Sequence, residues 1–417
     1  MRQILWTAII LMVGPRLGTA GDFALRDGDT VVFLGDSITA ARGYGKVIEN
    51  YTLLRYPERK VRFINAGHGG DTAEGGLKRL DRDVLSQGAT VLTVAYGIND
   101  IGWGMKADAE HKQRYLNAIR GIVEQCHQHG VRVFICSPAI TAEDPNRSEK
   151  GFLQMMADEG MAVAQSLGEG AIDVQRGMRE IQRRIWAANA QESDPKKKTS
   201  LHAEDGIHLN DLGHLAMAYA MLKGLGAQAE VSSVVLDVRE PNGVEAEGCR
   251  VTDVQWRDGV MTFVRRDQGL PLNLGILGAL QFRFIPIPEQ LNRYLLTVRN
   301  LPAGQYEIRI EGRLVGTVTG QQLHDGMNIS SMTADAWEPG GPWDAQAGVV
   351  KELTEARDRL TVGNLLRSQF LPEHPQRDAL SRQFAATDER LVSLQRDVAR
   401  PFPYHFEIRP HLAVPQP

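Results

Sequence analysis

Two separated segments of the chain contain the residue types that nucleophilic catalysis requires. Gly35-Asp36-Ser37 follows the apolar run VVFL, so Ser37 stands directly after a predicted strand. Asp205 and His208 lie three residues apart in DGIH, ahead of the apolar helical pattern DLGHLAMAYAMLKGL. A serine becomes a nucleophile when a histidine accepts its proton and a carboxylate orients that histidine. The residue types predict these roles for Ser37, His208 and Asp205.

Each segment also has a purely structural interpretation. Asp and Ser are favoured helix N-cap residues and Gly permits a tight turn, so Gly-Asp-Ser also occurs as a plain strand-to-helix junction. His202 is a second candidate base, but no acidic residue precedes it by three positions. The catalytic interpretation therefore requires that donors for an oxyanion lie at the same place.

Two further segments offer such donors. The glycine-rich stretch NAGHGGDT follows a second apolar run, and Gly70 presents a backbone N–H with no side chain in the way. Gly67 and Gly69 are alternatives within the same stretch. Asn99 in YGIND follows a third apolar run, and its side-chain amide is also a donor. We expect the oxyanion hole to consist of Gly70, Asn99 and the backbone N–H of Ser37.

These four segments interrupt an alternating pattern of strands and helices. Short apolar runs separated by amphipathic stretches occupy residues 29–226, and the runs are TVVFLGDS, VRFINAG, ATVLTVAYG, VRVFICSP and AIDV. Apolar strands alternating with helices are typical of an α/β fold in which both faces of a parallel sheet are covered. Because ligands bind at the carboxyl ends of the strands in such sheets, we expect the four segments to meet at one rim.

The second half of the chain has a different pattern. Residues 231–335 contain short strands with turn signals at RDG and EG, which predict hairpins in a β-rich, sandwich-like module. Residues 336–417 predict a helical hairpin and a tail. We expect the hairpin to be a scaffold, and the alternative is a lid over Ser37 formed by the apolar segment 364–372.

The net charge and the N-terminal residues indicate which partners and which cellular location to expect. The formal net charge of −4 gives no electrostatic reason to expect nucleic acid or an anionic membrane as a partner. Arg2, the apolar run ILWTAIILMV, Gly18 and Ala20 are typical of a secretory signal peptide over residues 1–20, with an uncleaved anchor as the alternative. We expect a secreted or periplasmic protein without stable membrane insertion after signal cleavage, in which residues 21–230 form the first domain.

The three cysteines, Cys126, Cys136 and Cys249, match neither a disulfide scaffold nor a zinc-binding pattern. Buried free thiols are expected at Cys126 and Cys136, with a bridge between them as the alternative. No Cys/His cluster has zinc spacing, so we predict no metal.

Taken together and in this order, the four segments resemble the SGNH, or GDSL, hydrolase family. The positions that match its blocks, without substitution at the functional residues, are Ser37 in GDSIT, Gly70 in GHGGDT, Asn99 in GIND, and Asp205 and His208 in DGIH. The resemblance covers residues 28–226 and implies a flavodoxin-like parallel sheet, an esterase or lipase activity, and no cofactor. The resemblance also favours Gly70 over Gly67 and Gly69 as the oxyanion donor, because the functional glycine of the family precedes a pair like Asp71-Thr72.

The resemblance implies the reaction and leaves the substrate open. We expect a serine esterase that works through an acyl-enzyme, with an acetylated carbohydrate or another small ester as substrate. Trp103, Asp36 and Asp100 are expected to contact the substrate, and core packing is the alternative for Trp103. Other functions left open are a lipase or lysophospholipase, an acyl transferase acting on a sugar, and a non-catalytic glycan-binding protein. The oligomeric state is not predicted.

Overall fold

The computed structural model describes most of the chain. The described residues are 23–275, 280–335, 337–370 and 375–411, with the backbone alone at 281 and 362–370. The expected signal peptide, residues 1–20, lies outside these ranges. Within them, no helix combines the length and the apolar composition that crossing a membrane would require.

Five parallel strands form the first sheet, and each matches one of the predicted runs. Their bounds are β1 Thr30–Gly35, β2 Arg62–Gly67, β3 Val91–Ala95, β4 Arg132–Cys136 and β5 Gly170–Ile172. The strand order is β2-β1-β3-β4-β5, which confirms the predicted flavodoxin-like sheet. The order reverses at β1, so a crevice between the carboxyl ends of β1 and β3 is the expected place for a ligand.

Helices cover both faces of this sheet. Their bounds are α1 Ser37–Ala40, α2 Gly43–Arg55, α3 Ala73–Lys78, α4 Leu80–Asp83, α5 Ala109–Gln128, α6 Pro145–Ser148, α7 Phe152–Ser166, α8 Val174–Ala190 and α9 Asp211–Gly224. The longest of them, α5, shows how the sequence sets its ends. The Asp108 side chain caps the backbone N–H of His111 at its start, and Gly130 adopts a φ of 71° just beyond its end.

Side chains of β1 alternate between two apolar cores, one on each face of the sheet. Val31 and Phe33 join the first core, whereas Val32 and Leu34 join the second. The first core continues without a break into the β-rich module, where it includes Tyr294. Each such side chain contributes about 1.5–3 kcal/mol when fully buried, so this shared core holds the two parts of the chain together.

The cysteines are free thiols. Cys126 and Cys136 are buried, and Cys249 is half-buried. Burial raises the pKa of both Cys126 and Cys136 to about 12, so neither is a reactive thiolate near neutral pH.

The β-rich module consists of two sheets. Its strands are β6 Glu230–Asp237, β7 Glu245–Glu247, β8 Cys249–Arg257, β9 Val260–Asp267, β10 Arg293–Arg299, β11 Gln305–Ile310, β12 Arg313–Thr319, β13 Met327–Asn328 and β14 Tyr404–Pro410. Two short helices accompany them, α10 Ile287–Gln290 and α11 Gly320–Asp325. The sheet orders are β13-β10-β6-β7 and β12-β11-β14-β9-β8. Strands β6 and β10 pair in parallel, whereas the second sheet is antiparallel.

Both predicted hairpins of this module are present. Asp258 and Gly259 join β8 to β9 with φ values of 52° and 80°, and Glu311 and Gly312 join β11 to β12 with 52° and 77°. Two-residue loops with both φ values positive match the right-handed twist of the flanking strands. The turn residues therefore set the register of each hairpin.

The predicted helical hairpin is also present and packs on α2. It consists of α12 Pro342–Phe370 and α13 Arg377–Ala399. Asp358 forms a 3.1 Å ion pair with Arg42, and Thr354 Oγ1 donates to Asn50 Oδ1 at 2.6 Å. These contacts support the scaffold interpretation. The segment 364–372, which carried the lid alternative, lies outside the residues whose side chains are described.

One element of the C-terminal region corrects the prediction of a helical hairpin followed by a tail over residues 336–417. Strand β14 lies in the second sheet of the β-rich module, between β11 and β9. Tyr404, Phe406 and Ile408 are buried and alternate with more exposed residues. The chain therefore leaves the module to form the helical hairpin and then returns to it, because the buried face of this strand needs the apolar core of the sheets.

Candidate active site

Ser37 is the first residue of α1, at the turn that follows β1. Asp36 caps this turn, since its Oδ1 accepts the backbone N–H of Ile38 at 3.0 Å. Ser37 Oγ lies 2.9 Å from Nε2 of His208, and the serine is only half-buried. The hydroxyl is thus within hydrogen-bond distance of a base and remains open to the rim.

The loop before α9 holds the predicted base and its carboxylate partner. Asp205 Oδ2 lies 2.5 Å from Nδ1 of His208, and Asp205 Oδ1 accepts the backbone N–H groups of Ile207 and His208 at 2.9 Å each. The hydrogen bond from His208, together with these two N–H groups, lowers the pKa of Asp205 to about 2. The ionised carboxylate therefore fixes the imidazole with Nε2 towards Ser37.

The alternative base, His202, has a structural role. Its side chain is buried, and its Nε2 lies 2.9 Å from the carbonyl oxygen of Ile140. Burial lowers the pKa of His202. The ring is thus committed to the protein interior and does not compete with His208.

The glycine-rich segment after β2 forms a tight turn. The backbone N–H of Asp71 donates to the carbonyl oxygen of His68 at 3.2 Å, and Gly70 adopts a φ of 74°. A positive φ at the third position of a four-residue turn favours glycine. Gly67 is glycine for another reason, because an added Cβ would lie 2.2 Å from a backbone nitrogen of α1. Gly69 and Gly70 are the exposed glycines of the segment, whereas Gly67 is half-buried.

Asn99 and Trp103 lie at the same rim. Asn99 Nδ2 donates to the carbonyl oxygen of Asp71 at 3.0 Å, so the segments after β2 and β3 are joined. Trp103 Nε1 donates to Asn99 Oδ1 at 2.9 Å. The Trp103 ring is 50% exposed, and its centroid lies 6.0 Å from that of His208. Trp103 is therefore part of the rim and is not packed in the core.

The structure gives Asp36 and Asp100 structural partners, which does not support the predicted contact with substrate. Asp36 is 3% exposed and caps α1, and burial raises its pKa to about 6. Asp100 Oδ1 accepts the backbone N–H of Ala73 at 3.0 Å, which ties the third segment to the start of α3. Its Oδ2 is buried without a partner among the described residues, and burial raises its pKa to about 7. Both carboxylates accept backbone N–H groups next to the rim and thereby help to hold its backbone in place.

Arg79, which was not among the predicted site residues, connects the segments that follow β1, β2 and β3. Its guanidinium donates to Asp71 Oδ2 at 2.8 Å, to the hydroxyl of Tyr96 at 2.8 Å and to the carbonyl oxygen of Gly35 at 3.3 Å. One side chain thus links the ends of β1 and β3 to the glycine turn. No local motif marks Arg79, since its partners come together only in the folded sheet.

A cleft of about 480 Å³ opens beside the triad. Its lining residues include Asp205 together with Trp103, Ile207, Phe152 and Leu153. The lining is largely apolar with a few polar groups, which is typical of sites for small ligands.

Comparison with known proteins agrees with this geometry. Residues 33–216 match the model of the GDSL-like Lipase/Acylhydrolase family. The chain is 23% identical over 220 residues to an acetylxylan esterase of Geobacillus stearothermophilus, which covers 48% of this chain and 94% of that protein. It is 31% identical over 121 residues to the uncharacterized lipoprotein YqeF of Bacillus subtilis (strain 168), which covers 27% of this chain and 50% of that protein.

A solved structure extends the similarity beyond the matched residues. BT4096, a gut microbial diltiazem-metabolizing enzyme, has a TM-score of 0.80 at 23% identity and covers 94% of this chain and 100% of that chain. At this identity the likeness establishes the fold, including the β-rich module and the C-terminal helices. Residues 33–216, which contain the parallel sheet, Ser37 and His208, are thus similar in sequence to the GDSL-like lipase/acylhydrolase family.

Proposed function

We propose that the protein is an exported serine esterase that hydrolyses acetyl esters of carbohydrates or of other small alcohols through an acyl-enzyme. The observation that carries the proposal is the continuous line of hydrogen bonds from Asp205 to His208 to Ser37, at 2.5 Å and 2.9 Å. These are the distances that a nucleophile, its base and an orienting carboxylate need.

The first half of the reaction forms the acyl-enzyme. His208 Nε2 takes the proton of Ser37 while Oγ attacks the ester carbonyl, and Asp205 stabilises the resulting imidazolium. The oxyanion accepts hydrogen bonds from Asn99 Nδ2 and from the backbone N–H groups of Ser37 and Gly70. The tetrahedral intermediate then collapses, and His208 returns its proton to the departing alcohol.

The second half regenerates the enzyme. A water molecule takes the place of the alcohol, and His208 Nε2 accepts its proton as the oxygen attacks the acyl carbonyl. The same donors stabilise the second oxyanion. Collapse releases the carboxylic acid, and His208 returns the proton to Ser37 Oγ.

Several observations support the substrate class and the compartment. The exposed Trp103 ring borders the 480 Å³ cleft and offers an aromatic surface on which a sugar can pack. One relative is an acetylxylan esterase, and BT4096 metabolizes a small molecule. The composition of residues 1–20 supports export, and a second relative is a lipoprotein.

An acyl-chain series combined with acetylated glycans tests the proposal. Purified protein should hydrolyse p-nitrophenyl acetate and acetylated oligosaccharides faster than long-chain p-nitrophenyl esters, and Ser37→Ala serves as the blank. Cleavage of long-chain esters with no action on acetyl esters would instead identify a lipase. Equal rates for the wild type and Ser37→Ala would favour a non-catalytic binding protein. Acetylated sugars formed when free sugar is added would indicate acyl transfer.

A further inference from the structure

The side-chain amide of Asn99 is held at both ends by groups whose chemistry is unambiguous. The indole N–H of Trp103 is only a donor, so the atom it meets at 2.9 Å is Oδ1. The Asp71 carbonyl is only an acceptor, so the atom 3.0 Å from it is Nδ2. These contacts fix the orientation of the amide. They leave the second hydrogen of Nδ2 without a protein partner in the part of the chain that the structure describes.

The loop that carries Trp103 holds the ring in a costly conformation. Gly102, Trp103 and Gly104 adopt φ values of 53°, 58° and 94°, which places three successive residues in the left-handed region. A bulky side chain rarely occupies that region, and residues that do so cluster at functional sites. The backbone N–H of Trp103 donates to the carbonyl oxygen of Ile98 at 2.9 Å, which helps to maintain the turn.

Burial does not account for this conformation. Trp103 is 50% exposed, so burial of its apolar surface contributes less stabilising free energy than burial of a whole tryptophan side chain would. The ring instead contacts both halves of the catalytic site. Its N–H holds Asn99, and its plane lies at 77° to that of His208 with the centroids 6.0 Å apart.

We propose that Trp103 is a positioning residue for the oxyanion hole. Its indole N–H holds the Asn99 amide so that the free N–H of Nδ2, and not Oδ1, faces the carbonyl oxygen of the substrate. Without the indole N–H, only the Asp71 carbonyl holds the amide, which can then rotate so that the free N–H of Nδ2 no longer faces the carbonyl oxygen of the substrate. The inference rests on the proposed function and deepens it, because it gives Trp103 a role in the transition state in addition to contact with a sugar.

Trp103→Phe tests the inference, since it retains an aromatic ring and removes the N–H. We expect kcat for p-nitrophenyl acetate to fall roughly 3- to 30-fold with KM unchanged, because the orienting bond acts on the transition state. Rates are normalised to active sites titrated with a fluorophosphonate. Trp186→Phe is the matched control, because Trp186 is also exposed, at 43%, and should retain full kcat.

A double-mutant cycle separates this role from stacking or general structure. In an Asn99→Ala background, Trp103→Phe should cause no further loss of kcat, because the amide that it orients is gone. The same fold-loss in both backgrounds would overturn the inference, and so would a loss confined to KM. Replacing Trp103 by β-(3-benzothienyl)alanine keeps the indole shape without the N–H and should reproduce the loss even if the phenylalanine variant folds poorly.

The inference and the proposed function fail in different ways. Full activity in Ser37→Ala would overturn both of them. An inactive Ser37→Ala together with full kcat in Trp103→Phe and in the benzothienyl variant would overturn only the role of Trp103.

Discussion

Asp205 and Asp267 both pair with a basic side chain, yet they lie in opposite environments. Asp205 meets His208 at 2.5 Å, and the two side chains are 37% and 39% exposed. Asp267 meets Arg265 at 2.9 Å inside the β-rich module, and both side chains are 0% exposed. Both contacts are within hydrogen-bond distance, so distance alone does not distinguish the pair at the candidate active site from the structural pair.

The hydroxyl groups near the two carboxylates distinguish the two pairs. In the module, Asp267 also accepts from Ser232 Oγ at 2.5 Å and from the Tyr294 hydroxyl at 2.6 Å, and Arg265 donates to Ser232 Oγ at 2.7 Å. This network is closed to water and its members satisfy one another. At the rim, Ser37 remains half-exposed beyond its contact with His208, so its hydroxyl can still meet a substrate. The same functional groups stabilise the fold in one place and are available for chemistry in the other.

Removing the base at the open site should give the largest effect on rate with little effect on stability. We expect His208→Ala to lower kcat by roughly 10⁴- to 10⁶-fold, because Ser37 then has no proton acceptor. Since the His208 side chain is 39% exposed, the thermal unfolding midpoint should stay near that of the wild type. Steady-state hydrolysis and differential scanning calorimetry measure the two quantities. A variant that loses activity only because it unfolds would erase the contrast between the two networks.

Breaking the buried network around Asp267 should instead lower stability and leave the catalytic rate unchanged. Asp267→Asn leaves the Arg265 guanidinium buried without its counter-charge, which should cost about 3–5 kcal/mol of unfolding free energy. The kcat of the folded fraction should not change. Urea unfolding followed by tryptophan fluorescence is suitable, because Trp343 is buried in the core that this module shares.

An exposed pair of the same module is the control for that experiment. Glu245→Gln removes the partner of Arg299 at a pair whose side chains are 68% and 46% exposed, and should cost at most about 1 kcal/mol. Equal losses for Glu245→Gln and Asp267→Asn would mean that burial does not set the importance of these pairs.

Deleting one oxyanion donor should give a smaller loss of rate than deleting the base. We expect Asn99→Ala to lower kcat about 10²- to 10³-fold, since backbone donors remain. A phosphonate analogue of the tetrahedral intermediate should lose affinity by a similar factor. If analogue binding is unchanged while kcat falls, Asn99 acts on the substrate ground state or on the fold instead.

Asp100 differs from both carboxylates, because it is buried near the candidate active site and has no cationic partner among the residues that the structure describes. Burial holds its pKa at about 7, above the ordinary value of 3.8. Between about pH 4 and pH 7 the native state therefore keeps a proton that the unfolded chain has lost, and stability falls as the pH rises. Asp100→Asn removes this dependence and keeps an oxygen for the N–H of Ala73. Relative to the wild type, it should gain up to about 4 kcal/mol of unfolding free energy between pH 4 and pH 8.

Urea unfolding of both proteins at pH 4, 6 and 8 measures this gain. A difference between them that is constant with pH would mean that the Asp100 carboxyl titrates normally in the native state. Asp81→Asn, at an exposed residue of α4, is the control and should show no such trend.

The parallel sheet, and the segments that bring Ser37, His208 and Asp205 together, could be predicted from the sequence because their signals are local. Three of the four functional segments directly follow a strand and the fourth precedes helix α9, and β-strand and helix periodicities are visible in single runs of residues. Parallel pairing then brings the strand ends to one edge, so Ser37 and Asn99 follow neighbouring strands although they are distant in the chain.

The features that sequence reasoning missed depend on partners far away in the chain. Arg79 has no local motif, and its role is visible only once β1 and β3 are side by side. The roles of Asp36 and Asp100 depend on the direction in which each carboxylate points. The spacing of residues in the sequence does not determine that direction. Strand β14 did have a signal, the alternation of Tyr404, Phe406 and Ile408, but nothing near it in the sequence indicates that its partners are β9 and β11.

Covalent labelling of the nucleophile tests the central claim most directly. A fluorophosphonate that reacts with activated serines should add one label per chain, and peptide mass spectrometry should locate it at Ser37, with loss of esterase activity in proportion. His208→Ala should react far more slowly, because labelling depends on the base that activates the hydroxyl. A label on another residue, or esterase activity that persists after complete labelling of Ser37, would contradict the account.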